Sequence, residues 1–327
     1  MKNILVTGGC GFIGSHLSLF LKRKKYKVIV IDNLKIGRKN LFRGDKFYKV
    51  NLENKKKLEK VFKLNKIDCI VHLAGLSKLT ESFKKKKLYE KNNIVSTKNL
   101  IQFAKKYKIK HFIFSSSASV YGKAKNFPIT ENSKLNPISY YGQTKLTCEK
   151  IIKKFSSRKS FNSICLRFFN VVGSNFKNKI GEIHNPPIHL IPILINQIIK
   201  KKPISIRYGF KTKDLTGERD YVDVSDIVNA HYLSIKKIKK LTKSYETINL
   251  GSKKSYSTLN ILKILRKSFL KKDIIISKLT KLRGEPDKLL ASNLKAFKIL
   301  RWKPKIKIQS SIKNMIKWEE YLIKKSL

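Results

Sequence analysis

Residues Thr7-Gly8-Gly9-Cys10-Gly11-Phe12-Ile13-Gly14 constrain the fold more than any other stretch. They follow a short apolar run, Ile4-Leu5-Val6, that reads as a buried strand. They precede Ser15 to Leu21, whose apolar residues recur at helical spacing. Strand, glycine turn and helix in that order bring backbone close to a pyrophosphate and aim a helix N-terminus at its charge. Gly8 would allow the tight turn, Gly11 the approach of the phosphates, and Gly14 close packing of the helix. Three glycines alone are weak evidence, because turns use glycine anyway. Two features strengthen the reading. The motif stands where a first βαβ unit should begin, and a second apolar run, Val28 to Ile31, ends in Asp32. An acidic residue about 20 positions after such a loop binds a ribose 2′-hydroxyl. A carboxylate there repels a 2′-phosphate, so NAD rather than NADP is the expected cofactor.

The 327 residues suffice for one large α/β unit or two coupled domains. No run of about 18 apolar residues is present, so no membrane association is expected. The apolar run at Ile4 leaves no room for a signal peptide. Cys10, Cys69, Cys148 and Cys165 show no C-x-x-C spacing and read as reduced thiols, which points to a cytoplasmic location. The six histidines are scattered, and no metal site is expected. The net charge of +53 invites a nucleic-acid reading. Against it, only ten of the 74 basic residues are arginine, and the lysines are spread along the whole chain. Arginine is the favoured reader of bases. Solvated lysine faces are therefore expected, with no specific nucleic-acid partner.

Strands are expected at Lys46–Val50, Asp68–Leu73, His111–Phe114 and Ser163–Arg167. Helices are expected at Lys55–Phe62, Leu88–Tyr107 and Tyr140–Phe155. This alternation predicts a Rossmann-type, doubly wound parallel sheet of the α/β class. After Asn170, prolines 186, 187, 192 and 203 break the rhythm. Helices are expected at Leu190–Ile199, Asp223–Ser234, Thr258–Phe269 and Ser310–Leu322, with strands at Glu246–Leu250 and Asp273–Ser277. The second half reads as a smaller lobe woven into the first.

Tyr141 and Lys145 stand four apart and share a helix face. A cationic lysine near a phenol favours phenolate and lowers its pKa from about 10, making a base for an alcohol proton. In a lysine-rich chain this spacing arises easily by chance. The cluster Ser115-Ser116-Ser117, at the end of an expected strand, adds a hydroxyl that could bond the same substrate oxygen.

Together these motifs resemble the extended short-chain dehydrogenase/reductases, and among them the UDP-glucose (UDP-galactose) 4-epimerases. The resemblance runs through Thr7–His16, Asp32-Asn33-Leu34, His72–Leu76, Phe114–Gly122, Tyr141–Lys145, Arg167–Asn170, Ile180–Pro192 and Gly217–Tyr221. It implies that residues 1–171 bind NAD, with 217–250 returning to that domain, and that 172–216 and 251–327 form a UDP-sugar-binding lobe. It implies contacts to the cofactor from Gly8, Gly11, Phe12, Ile13, Gly14, Asp32, Asn33, Leu34, Lys35, Ile36 and Gly37. Further cofactor contacts would come from Asn51, Leu52, Leu73, Ala74, Gly75, Asn93 and Phe169. Ser117, Tyr141 and Lys145 would be catalytic, and would touch both cofactor and substrate. Asn170, His189, Leu190, Ile206, Tyr208, Arg219, Arg283, Glu285 and Leu289 would hold the UDP-sugar. The implied assembly is a homodimer. The implied reaction inverts C4 of the sugar through a transient 4-keto species.

Three positions depart from the family pattern: Asn51 replaces Asp, Ser77 replaces Lys, and Leu282 replaces Arg. Leu289 aligns near the residue limiting sugar size, so UDP-N-acetylglucosamine is an expected additional substrate. The alternatives are a sugar-nucleotide 4,6-dehydratase or decarboxylase, and a non-catalytic NAD-binding regulator. Dehydratases of this type place Asp-Glu after the catalytic hydroxyl; here Ala118 and Ser119 stand there, which disfavours elimination.

Overall fold

Continuous apolar runs without alternation suit strands covered on both faces, and the first half of the chain is built from them. The computed structural model describes all residues except 158–160, 270–274, 283 and 327. Its strands are β1 (Asn3–Thr7), β2 (Lys27–Asp32), β3 (Lys46–Lys49), β4 (Cys69–His72), β5 (His111–Ser117), β6 (Asn162–Phe168), β7 (Asn170–Val172), β8 (Ile204–Tyr208), β9 (Glu218–Asp223), β10 (Tyr245–Leu250), β11 (Ser255–Ser257) and β12 (Ile276–Thr280). The helices are α1 (Phe12–Arg23), α2 (Lys55–Lys63), α3 (Leu79–Lys84), α4 (Lys86–Tyr89), α5 (Ser96–Lys106), α6 (Tyr140–Ser156), α7 (Leu190–Ile199), α8 (Val224–Lys237), α9 (Thr258–Phe269), α10 (Leu294–Leu300) and α11 (Ile308–Ser326).

Seven strands form one parallel sheet in the order β10-β6-β5-β4-β1-β2-β3. Side chains alternate across it. Ile4, Val6, Val28, Val30 and Val71 pack on one face, with Leu17 of α1 and Ile227 of α8. Leu5, Ile29, Ile31 and Ile70 pack on the other, with Leu58 of α2, Leu100 of α5 and Ile152 of α6. The strand order reverses at β1, which is flanked by β2 and β4. A crevice opens at such a switch point beyond the carboxyl ends of the strands, here after Thr7 and His72.

The second half adds a three-stranded sheet, β11-β9-β7, and the parallel pair β12-β8. These sit over an apolar cluster with α7, α9 and α11. Of the expected strand Asp273–Ser277, residues 273 and 274 lie outside the described residues, and pairing begins at Ile276. Two expectations need correcting. Ala296 and Leu300 of α10, with Trp302, pack into the core of the large sheet, and Trp302 Nε1 donates to Asp226 O at 2.8 Å. Part of the 251–327 segment assigned to the lobe therefore belongs with the first core. The expected helix Leu88–Tyr107 is helical but not uniformly α: Glu90–Val95 adopts π geometry.

Candidate active site

The glycine turn is shaped by close approach. Gly8 has φ +70°, and a Cβ there would lie 2.8 Å from Ala74 N. A Cβ on Gly14 would lie 2.1 Å from Gly8 O, so α1 packs directly on the turn. Gly11 caps α1 without a side chain, and a Cβ there would meet only Gly8 O, at 3.3 Å. The space above the helix start, beside Phe12 and Ile13, is thus kept clear for backbone contact with an anion. Asp32, at the tip of β2, accepts from Cys10 N at 3.0 Å and Leu34 N at 2.8 Å. Burial pushes its carboxyl pKa up, partly offset by these two amides. Asn33 Oδ1 accepts from Lys35 N, Ile36 is exposed, and Gly37 lies against the Asp32 carboxylate. Asn51 and Leu52 follow β3; Leu52 is buried and its carbonyl accepts from Asn99.

On the β4 side, Thr7 Oγ1 bonds His72 Nδ1 at 2.7 Å, and His72 Nε2 meets Thr97 Oγ1 at 3.1 Å. Burial drops the His72 pKa to about 3, so this ring is a neutral brace between β1, β4 and α5. Leu73, Ala74 and Gly75 then run out over the crevice. A Cβ on Gly75 would fall 2.9 Å from Asn93 Oδ1 and 3.6 Å from Lys145 Nζ. Asn93 accepts from Leu76 N (2.8 Å) and donates to Leu76 O (3.1 Å) and Thr144 Oγ1 (2.9 Å). The π segment sets this orientation, a frequent use of π geometry. Sequence reading missed both the π segment and Thr144. The polar residues Asn93, Ser96 and Thr97 are buried on that helix, but nothing in the run marks the extra residue or points to Thr144.

Ser139 caps α6 by accepting from Gly142 N at 3.1 Å, placing Tyr141 and Lys145 one turn apart. Lys145 Nζ donates to Ser115 O at 2.7 Å and sits 5.9 Å from the Tyr141 ring centroid. Burial lowers the Lys145 pKa to about 8. The expected drop in the Tyr141 pKa does not occur in the protein alone. Burial raises it, and only the nearby Ser117 hydroxyl pulls it down. The lysine's charge is turned toward the β5 carbonyl rather than the phenol. Ser117 Oγ accepts from Ser119 N (3.2 Å) and Ser119 Oγ (2.9 Å). Behind this group, Ser116 Oγ donates to Glu149, which holds Arg167 through two bonds of 2.9 and 2.7 Å. Arg167 also donates to Tyr121, whose hydroxyl donates to Asn249.

Phe169 and Leu289 are buried in one small cluster with Ala118, Val120, Tyr121, Ile129 and Ala291. Leu289 N donates to Glu218 O at 3.0 Å, beside Arg219. Arg219 Nη1 donates to two carbonyls, of Glu218 and Asp287, and its guanidinium lies 5.8 Å from the Phe210 centroid. It forms no ion pair with a carboxylate among the described residues. Asn170 pairs with Tyr221 across β7 and β9. Ile206 and Tyr208 lie on β8, whose end bridges to Thr216. Glu285 accepts from Leu282 N at 3.2 Å. Arg283 lies outside the described residues. His189 caps α7 just before Leu190, and its Nδ1 turns to Glu182. That pairing was not foreseen, and it holds the imidazole pKa up.

A crevice at the switch point of a doubly wound sheet, lined by a Ser, Tyr and Lys, defines the class of dinucleotide-dependent oxidoreductase-like enzymes. The chain belongs to the NAD dependent epimerase/dehydratase family, whose model matches residues 4–251. It is 39% identical to a UDP-glucose 4-epimerase of Lactobacillus helveticus, over 92% of each chain. Its structure matches that of UDP-glucose 4-epimerase from Bifidobacterium longum in complex with NAD+ and UDP, with TM-score 0.92, 31% identity and 98% coverage of both chains. It also matches a UDP-glucose 4-epimerase from Stenotrophomonas maltophila with bound NAD and formylated UDP-arabinopyranose, with TM-score 0.94 and 25% identity, over 99% of this chain and all of the other.

Proposed function

We propose that this chain is a NAD-dependent isomerase that interconverts UDP-glucose and UDP-galactose by inverting C4. The observation that carries the reading is the meeting of Ser117, Tyr141 and Lys145 at a glycine-lined crevice, with Arg219 half-buried and in no ion pair among the described residues. The cradle fits NAD: Gly8 to Gly14 leave its pyrophosphate room, and Asp32 ends β2 where a ribose diol would lie. When bound, NAD accepts and returns the C4 hydride, and its oxidised ring supplies positive charge. Tyr141 takes the C4 hydroxyl proton and returns it to the same oxygen once the 4-keto sugar has turned over to present its other face for reduction, which is how C4 inverts. Ser117 holds the same oxygen. Lys145, fixed by Ser115 O, is placed to bind ribose hydroxyls. Arg219 suits the diphosphate because its planar fork bonds phosphate oxygens in pairs.

Ala118 and Ser119 offer no acid or base for elimination, which supports epimerisation over dehydration. Leu289, packed in one cluster with Phe169 and Ala118, lacks the ring and hydroxyl that a tyrosine would add there, so UDP-N-acetylglucosamine is proposed as a second substrate. A homodimer is the proposed assembly, and light scattering tests it. No helix among the described residues is long and apolar enough to cross a membrane; a cytoplasmic location is part of the proposal. The deciding experiment incubates purified protein with UDP-glucose without added NAD. UDP-galactose should accumulate; a 4-keto-6-deoxy product or no turnover would refute the reading.

A further inference from the structure

Folding brings two of the six scattered histidines onto one carboxylate. Glu182 Oε1 meets His184 Nδ1 at 2.8 Å and His189 Nδ1 at 2.6 Å. The Glu182 side chain is buried, whereas that of His189 is 50% exposed. The segment is clamped to α11: Trp318 Nε1 donates to Glu182 O at 2.7 Å, and a Cβ on Gly181 would strike the Trp318 ring. All three donor atoms lie within 4.8 Å of one another, and no other such group of three exists among the described residues. Glu319, also buried on α11, lies near enough that burial and the Glu182 charge push its carboxyl pKa up to about 7. Neither acid pairs with Lys or Arg among the described residues, in a chain holding 74 of them.

We propose that Glu182, His184 and His189 form a binding site for a divalent transition-metal ion of the zinc type. Two imidazole nitrogens and one carboxylate oxygen suit Zn²⁺ or Co²⁺, whereas Mg²⁺ and Ca²⁺ demand oxygen donors. Metal bonds of about 2.0–2.1 Å in a tetrahedron hold donors about 3.3 Å apart. The Glu182 oxygen would therefore draw away from each Nδ1 by about half an ångström; each ring would keep one proton, on Nε2, and an imidazolium would release its second to solvent. The fourth coordination position opens on the exposed side of His189. His189 is also an expected UDP-sugar contact, so the site is argued from its donor geometry and its test reads metal binding rather than turnover.

The test titrates untagged, metal-free full-length protein with Co²⁺. One ion per chain should bind, with the intense visible absorption of a low-coordinate N/O site, and one equivalent of Zn²⁺ should erase it. His184→Gln/His189→Gln should weaken Co²⁺ binding at least tenfold while circular dichroism and NAD content stay unchanged. His184→Gln alone, which leaves the Glu182–His189 pair, should weaken it by less. Binding equal in wild type and double variant, or only the pale spectrum of six-coordinate Co²⁺, would overturn the proposal.

Discussion

Tyr141 sits where its own ionisation is opposed: burial raises its pKa, and Lys145 spends its proton on Ser115 O. A base built this way depends on charge arriving with the cofactor. Tyr141→Phe should therefore cut kcat by about 10²–10⁴-fold while NAD remains bound; near wild-type turnover would remove the assignment. Lys145 carries the clearest proton linkage. Its folded pKa of about 8 lies below the 10.5 of an unburied lysine, so between these the unfolded chain holds a proton that the fold has released. Stability contributed through Lys145 thus rises with pH across that window. The unfolding free energy of wild type minus that of Lys145→Met should increase by about 2.5 kcal/mol from pH 7 to 10; a flat difference contradicts it. Gly8, Gly14, Asp32, Ser117, Tyr141 and Lys145 were legible because each obeys a local spacing rule. The true direction of the Tyr141 pKa was not, because burial and the Lys145–Ser115 bond are tertiary facts.

Among the elements, β5, β6 and α6 owe their relative placement to a buried ion pair. Arg167 and Glu149 are each 3% exposed, and through Ser116 and Tyr121 they fix both sides of the turn that carries Ser117. Arg167→Met leaves Glu149 buried without its counter-ion, which typically costs about 3–5 kcal/mol. Chemical denaturation should show that loss; a change below about 1 kcal/mol would mean water or another cation replaces the guanidinium. The segment carrying Leu289 is pinned to β9 through Glu218 O and lies against Phe169. Leu289→Tyr adds a ring and a hydroxyl there and should selectively lower kcat/KM for UDP-N-acetylglucosamine relative to UDP-glucose. Equal losses on both would place the gate elsewhere. Whereas the six-residue α3 was too short to show a period, helices α1, α2, α5 and α6 were readable because apolar residues recur at helical spacing along them. The π turn at Glu90–Val95 was not, since nothing in a helical repeat marks one extra residue. The strands β7, β8, β9 and β11 were missed because they are short and polar at their ends.

At the scale of the whole molecule, 74 basic residues against 21 acidic ones leave few cations partnered. Many lysines instead lie over aromatic rings, as Lys39 does over the partly buried Phe42 and Phe47. DNA should bind weakly, without sequence preference, and lose affinity steeply with salt. Tight sequence-selective binding at physiological ionic strength would reverse this view. The parallel sheet was foreseeable from the alternation of runs. The return of Trp302 to the first core was not, since a single aromatic residue after a glycine-free helix carries no long-range signal. The placement of β10 has a consequence for synthesis on the ribosome. The outer edge of β6 is paired only by Tyr245–Leu250, which emerges after the whole of β7, α7, β8, β9 and α8. Until then the nascent chain presents a bare strand edge, the kind that recruits other chains. Products truncated before Tyr245 should be the sticky ones, and completion of the chain is itself the step that seals the sheet.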